Sequence, residues 1–161
     1  MKSDAAHATS MALSGLFLEI FRANGRLVAA GDKLVSPLGL TSARWQVLGA
    51  VAMSSAPQPV AHLAGDMGLA RQGVQRIVNE LADQGLLAFE DNPRHRRAKL
   101  VQLTADGKAI MAAAAKVQRP WVDDLAADLD AGKIAIAAEV LKALWNRLDE
   151  EPGVDGTLEQ D

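Results

Sequence analysis

The stretch from Pro59 to Leu103 leaves this chain the fewest choices of fold. Val74, Ile77, Val78 and Leu81 fall at i, i+3, i+4 and i+7, one apolar stripe on a helix spanning about Ala70 to Gln84. Gly85 is the expected stop. A shorter helix precedes it. That helix opens at or just after Pro59, buries Val60, Leu63, Ala64 and Met67, and ends at Gly68. Beyond Gly85, Leu86 to Glu90 and Ala98 to Leu103 read as strands. The segment between them, Asp91 to Arg97, is too polar for a core, so the pair forms a hairpin with a basic tip.

Two helices joined by a short glycine-containing turn form a helix-turn-helix. Its second helix characteristically enters the major groove of DNA and presents its N-terminal residues to base edges. Here those residues are Arg71, Gln72, Gln75 and Arg76. Arginine pairs bidentately with guanine and glutamine with adenine, and the free N–H groups of a helix start suit a phosphate. Taken alone, such a face is usually just a solvated surface. The hairpin adds Arg94, Arg96, Arg97 and Lys99, with His95 among them and no acid. A basic hairpin directly after a helix-turn-helix is a winged helix. Its tip suits a neighbouring minor groove, where negative potential attracts arginine.

Charge supports that orientation once it is resolved along the chain. The formal net charge is −3. Residues 121–161 carry 11 acidic and 3 basic side chains, whereas residues 1–120 carry 14 basic and 9 acidic. A basic body with an acidic C-terminal part is compatible with a nucleic-acid partner. There is no cysteine, which removes disulfides, zinc–thiolate sites and thiol sensing. No apolar run approaches the roughly 18 residues that span a bilayer, so no membrane association is expected. Met1 to Ser10 shows no secretory pattern, and the expected location is the cytoplasm.

The flanks read as helices. Residues 1–11 are expected to form a mobile N-terminal arm. Leu13, Leu16, Phe17, Ile20, Leu27 and Val28 then fall at helical spacing, with interruptions at Gly31 and at Ser36 to Gly39. A helix from Ser42, capped by Thr41, places Trp45, Leu48 and Val51 on one face. Ser54 to Pro59 reads as a turn. Thr104 caps a long helix with Ile110, Ala113, Val117, Trp121, Leu125 and Leu129 along one side, and Pro120 should kink or break it. A last helix runs from about Lys133 to Leu148. Residues 150–161 read as an acidic, frayed tail. The fold class is therefore mainly α with a small β-hairpin wing: a winged helix-turn-helix over 37–104, with helical segments at 12–36 and 105–149.

Three stretches resemble the MarR family of bacterial transcriptional regulators: Leu40 to Leu48, Leu63 to Leu87, and Arg96 to Gly107 with its Leu-Thr-x-x-Gly ending. The resemblance implies a homodimer on double-stranded DNA, with the segments 12–36 and 105–149 forming the dimerisation region. The apolar surface of these terminal helices agrees with that, although packing on each other within one chain is the other reading. The resemblance further implies a ligand-responsive repressor acting on a pseudo-palindromic operator. A winged-helix module that binds protein or ligand but no DNA is the alternative. Two positions depart from the family pattern. His95 stands where the wing usually carries an Asp, predicting a more basic and more mobile wing with steeper salt dependence. Ala70 replaces the usual capping Ser, a loss of about 1 kcal/mol.

Family members often respond to small aromatic or hydrophobic anions. The corresponding candidates are Phe17, Ile20, Arg44, Trp45 and Leu48. Each also has a plain structural reading as core, and Arg44 as a partner of DNA phosphate or of a neighbouring carboxylate. No enzyme is expected: His7, His62 and His95 are scattered, and no nucleophile, phosphate-loop or metal-ligand spacing occurs. No cofactor or metal is expected either.

Overall fold

The structure, a computed structural model, describes residues 2–150, with side-chain detail for 6–149. The chain divides into two compact units, with the boundary between Gln118 and Arg119. In the first unit, α1 (Lys2–Val35) leads through a 3-10 turn at Ser36–Leu38 into α2 (Ser42–Met53). Then follow β1 (Gln58–Pro59), α3 (Val60–Asp66), α4 (Arg71–Asp83), β2 (Leu87–Glu90) and β3 (Leu100–Leu103). Helix α5 (Ala105–Ala126) continues past the boundary. With α6 (Ala131–Glu150) its end makes up the second unit.

One core organises the first unit. Val47, Leu48 and Val51 of α2 meet Leu63 and Ala64 of α3, Val74, Val78 and Leu81 of α4, and Leu87 and Val101 of the sheet. The stripe of α4 is thus buried as its spacing predicts, with Ile77 packed at the margin. Gly68 and Gly85 take φ of 62° and 73°, left-handed values that close α3 and α4 at little steric cost. Helix α4 opens at Ala70, and no side chain caps it.

Several expectations are corrected. The first helix starts well before Leu13, where its apolar spacing begins: residues 2–11 are helical and continuous with α1, and the segment is rich in alanine, the strongest helix former. Gly31 does not interrupt α1. It sits inside the helix because a Cβ there would lie 2.5 Å from Ser42 Oγ. That close approach lets Ser42 donate from its backbone N to Asp32 Oδ1 at 2.6 Å and from Oγ to the Val28 carbonyl at 2.7 Å. Pro120 does not break α5; the alanine-rich turns before it sustain the helix at the expense of one backbone bond. The end of the predicted Ser54–Pro59 turn is a short strand. Gln58 and Pro59 pair with Val101 and Leu100, giving a three-stranded antiparallel sheet of order β1-β3-β2 in place of a bare hairpin. Two residues carry too short a pattern to be seen in sequence. The first half of α5 lies in the first compact unit. Of the expected acidic tail, residues 151–161 lie outside the described chain.

The Leu-Thr-x-x-Gly ending has a physical reason. Thr104 Oγ1 donates to the Gly85 carbonyl at 2.6 Å and accepts from Gly107 N at 3.0 Å. One side chain therefore caps α5 and ties it to the end of α4. Gly107 is buried so closely that a Cβ there would collide with the Leu86 carbonyl oxygen.

Candidate nucleic-acid interface

Burial of the α4 stripe forces the opposite face outward. Arg71, Gln72, Gln75, Arg76 and Asn79 line one open hollow of about 550 Å³. All but the half-buried Gln75 are exposed. A second cleft, of about 360 Å³, lies between the start of α4 and the wing. Its rim holds Arg71 and Gln75 from α4, Arg97 and Lys99 from the wing, and Phe89 from β2. The fold therefore brings together cations that lie far apart in sequence. Lys99 and Phe89 belong to this surface beside the residues predicted for it. Lys99 is legible as part of the basic run; Phe89 carries no signal beyond strand propensity. Arg94 and Arg96 stand exposed on the wing loop beside Arg97.

The wing is closed by an amide. Asn92 is 8% exposed. Its Nδ2 donates to the Ala98 carbonyl at 2.9 Å, and its Oδ1 accepts from the backbone of Arg94 and His95 at 3.0 and 3.3 Å. Both ends of the Asn92 amide therefore bond to the loop backbone, and the side chain bridges the wing from Asn92 to Ala98. The expectation of a loosely held wing does not include this hub, because a single Asn in a polar turn looks like any other turn residue.

Behind the exposed face lies an ion cluster. Glu80 Oε1 accepts from Arg76 Nη1 at 2.6 Å, and Glu80 Oε2 accepts from Arg44 Nη2 at 3.0 Å. The Arg44 hydrogen bond, with the charges of Arg76 and Arg44, holds the Glu80 carboxyl below the usual carboxylate range, against the opposing effect of partial burial. Of the readings open to Arg44, the neighbouring carboxylate is the one the geometry realises.

The ligand candidates do not converge. Leu48 is 0% exposed inside the core, because α2 turns it between α3 and α4, so it presents no surface to a ligand. Arg44 is committed to Glu80. Phe17 and Ile20 lie on α1, exposed and half-buried. Trp45 alone borders a sizeable cleft, about 920 Å³, where Met53, Met67, Met111, Gln58 and Asp66 also line the wall. The sequence carries no signal for these methionines, because methionine at helical spacing is ordinary core material.

A helix-turn-helix with a basic strand–loop–strand wing, its recognition helix bare on one side, defines the winged-helix class. Residues 38–98 match the model of the MarR family. An uncharacterised protein of Mycobacterium tuberculosis is 36% identical over 101 residues, covering 63% of this chain and 69% of that one. The chain belongs to the MarR family of transcription regulators, whose members are not enzymes. Two solved structures show the same fold. CouR from Rhodococcus jostii, bound to p-coumaroyl-CoA, is similar at a TM-score of 0.72 and 21% identity, covering 81% of this chain and 91% of that one. A mutant MarR from E. coli complexed with operator DNA is similar at 0.72 and 24%, covering 81% and 93%. Among the described residues no helix is long and apolar enough to cross a membrane.

Proposed function

We propose that this protein is a ligand-responsive transcriptional repressor that binds a pseudo-palindromic operator in double-stranded DNA as a homodimer, in the bacterial cytoplasm. The observation that carries the reading is the convergence of Arg71 and Gln75 of α4 with Arg97 and Lys99 of the wing around one cleft. Cations on two elements facing one concavity suit a phosphate backbone passing between two grooves. In this reading Arg71, Gln72, Gln75 and Arg76 meet base edges in the major groove. Arg94, Arg96 and Arg97 reach the adjacent minor groove. Two copies of α4 engage half-sites about 34 Å apart.

The apolar ends of the chain support the homodimer. Phe21 is 73% exposed on α1, and Ile136 and Leu148 are 63% and 60% exposed on α6. Surfaces of this kind mark an interface, and a second copy presents the same apolar residues.

The effector proposed is a small hydrophobic, aromatic molecule in the cleft at Trp45. The family resemblance implies an anion. The described lining contains Asp66 and no Lys or Arg, which favours an uncharged ring system instead. Such a ligand would act by shifting the population between DNA-competent and incompetent arrangements.

The test is selection of bound duplexes from a random pool, followed by salt titration of binding to the selected site. Arg97→Ala should weaken binding and flatten the salt dependence by about one unit of slope. If the full-length chain shows no salt-sensitive affinity for any duplex, the alternative stands: a winged-helix module for protein or ligand.

A further inference from the structure

The exposed face of α4 is not uniformly free. Among the described residues Arg71 and Gln72, on the first turn, make no side-chain hydrogen bond or ion pair. The residues one turn further on are latched. Gln75 Nε2 donates to Asn79 Oδ1 at 2.9 Å, and Arg76 Nη1 donates to Glu80 Oε1 at 2.6 Å. An exposed i,i+4 pair fixes little by itself. The Glu80 carboxylate differs because it is also held from behind. Its Oε2 accepts from Arg44 Nη2 at 3.0 Å and from Nε at 3.4 Å, and Arg44 belongs to α2. The side chains of Arg44 and Glu80 are 27% and 32% exposed, that of Arg76 71%. The anchor is thus the sheltered end of the cluster, and the free end faces outward.

We propose that Glu80 is a positioning residue of the DNA-reading face. Anchored by Arg44, it fixes the direction of the Arg76 guanidinium and offsets its charge, so that Arg76 serves base discrimination more than general attraction to phosphate. The inference rests on the DNA-binding reading above. Its physical content is twofold. An arginine already paired with a carboxylate contributes less to counterion release when it meets DNA. A guanidinium held in one direction also loses less freedom on forming a bidentate contact with a base.

The experiment compares full-length wild type and variants on two labelled duplexes: a site selected from a random pool, and a mixed-sequence duplex of the same length. Each is titrated across a range of salt. For Glu80→Gln the expected result is tighter binding to the mixed-sequence duplex and a log–log salt slope steeper by about one unit. The preference for the selected site should fall about tenfold. If Glu80 serves only to hold α2 against α4, both affinities fall and the slope is unchanged, which overturns the proposal. In an Arg76→Ala background the same substitution should leave the slope where it is; steepening there also overturns it. Arg44→Lys guards against loss of folding in the glutamine variant. It keeps the charges but removes the two-pronged grip, so the slope should persist while the preference falls. An unchanged preference sinks the proposal. A wild-type chain that binds neither duplex overturns the DNA reading itself, and this inference with it.

Discussion

The winged-helix core and the helical ends of the chain are built from the same kinds of residue and treat them oppositely. Val78, Leu81 and Leu48 are 0% exposed in the core, where α2, α3, α4 and the sheet close around them. Helices α1 and α6 carry leucine, isoleucine and phenylalanine too, yet Leu18, Phe21, Ile134 and Ile136 stand largely in solvent. A helix alone cannot bury its own stripe; it needs a second surface. The core finds that surface within the chain. Among the described residues these side chains of the ends stay exposed, and the dimer proposed above is the reading that would cover them.

The contrast can be broken most decisively at Leu81. Leu81→Ala should cost about 2–5 kcal/mol, and the loss should not depend on protein concentration, because no second copy contributes to that site. A denaturant titration at two concentrations checks this. A concentration-dependent loss would mean that the core is shared between copies. Gly107→Ala should follow, at about 1–3 kcal/mol, because the added methyl collides with the Leu86 carbonyl and forces α5 away from the end of α4. Thermal melting reads the loss, and an unchanged midpoint would show that α5 is not seated as described.

Ile136→Asp tests the other side of the comparison. Light scattering should show a dimer for wild type and a monomer for the variant, with the near-ultraviolet circular dichroism of the winged-helix unit largely retained. A wild-type monomer would leave the exposed apolar ends without a partner copy to cover them. The smallest effect sharpens the picture within the core. Ala70→Ser should supply the cap that α4 lacks and raise stability by about 1 kcal/mol. A neutral result would indicate that the first N–H groups of α4 gain nothing from a side-chain oxygen.

Sequence patterns succeed and fail in this chain for the same reason. Stripes repeat locally, so Val74, Val78 and Leu81 announce α4 and its buried side. Gly68 and Gly85 announce its limits. Basic character also needs no fold to be read, and Arg94, Arg96 and Arg97 stand exposed as expected. Leu48 takes the core reading open to it; helical spacing says that a residue faces inward, not what it faces. Gly31 looks like a break because its role lies eleven residues away, at Ser42. Asn92 and Glu80 are only half legible: Arg94, His95 and Arg76 are local partners, but the bonds to Ala98 and Arg44 need the fold to bring the partner close.

By itself the sequence determined the helix-turn-helix and its wing, the outward face of α4, and the family. The first three follow from short-range periodicity, turn residues and local charge; the family follows from the resemblance of the motifs at 40–48, 63–87 and 96–107. Tertiary structure alone decided the third strand, the amide that closes the wing, and the cleft uniting Arg71 with Arg97. It also decided the Arg44–Glu80–Arg76 cluster that links α2 to α4. Such features depend on how the chain folds back on itself, across one loop for Asn92 and between distant segments for the rest, and hydrogen bonds and ion pairs act only over a few ångströms.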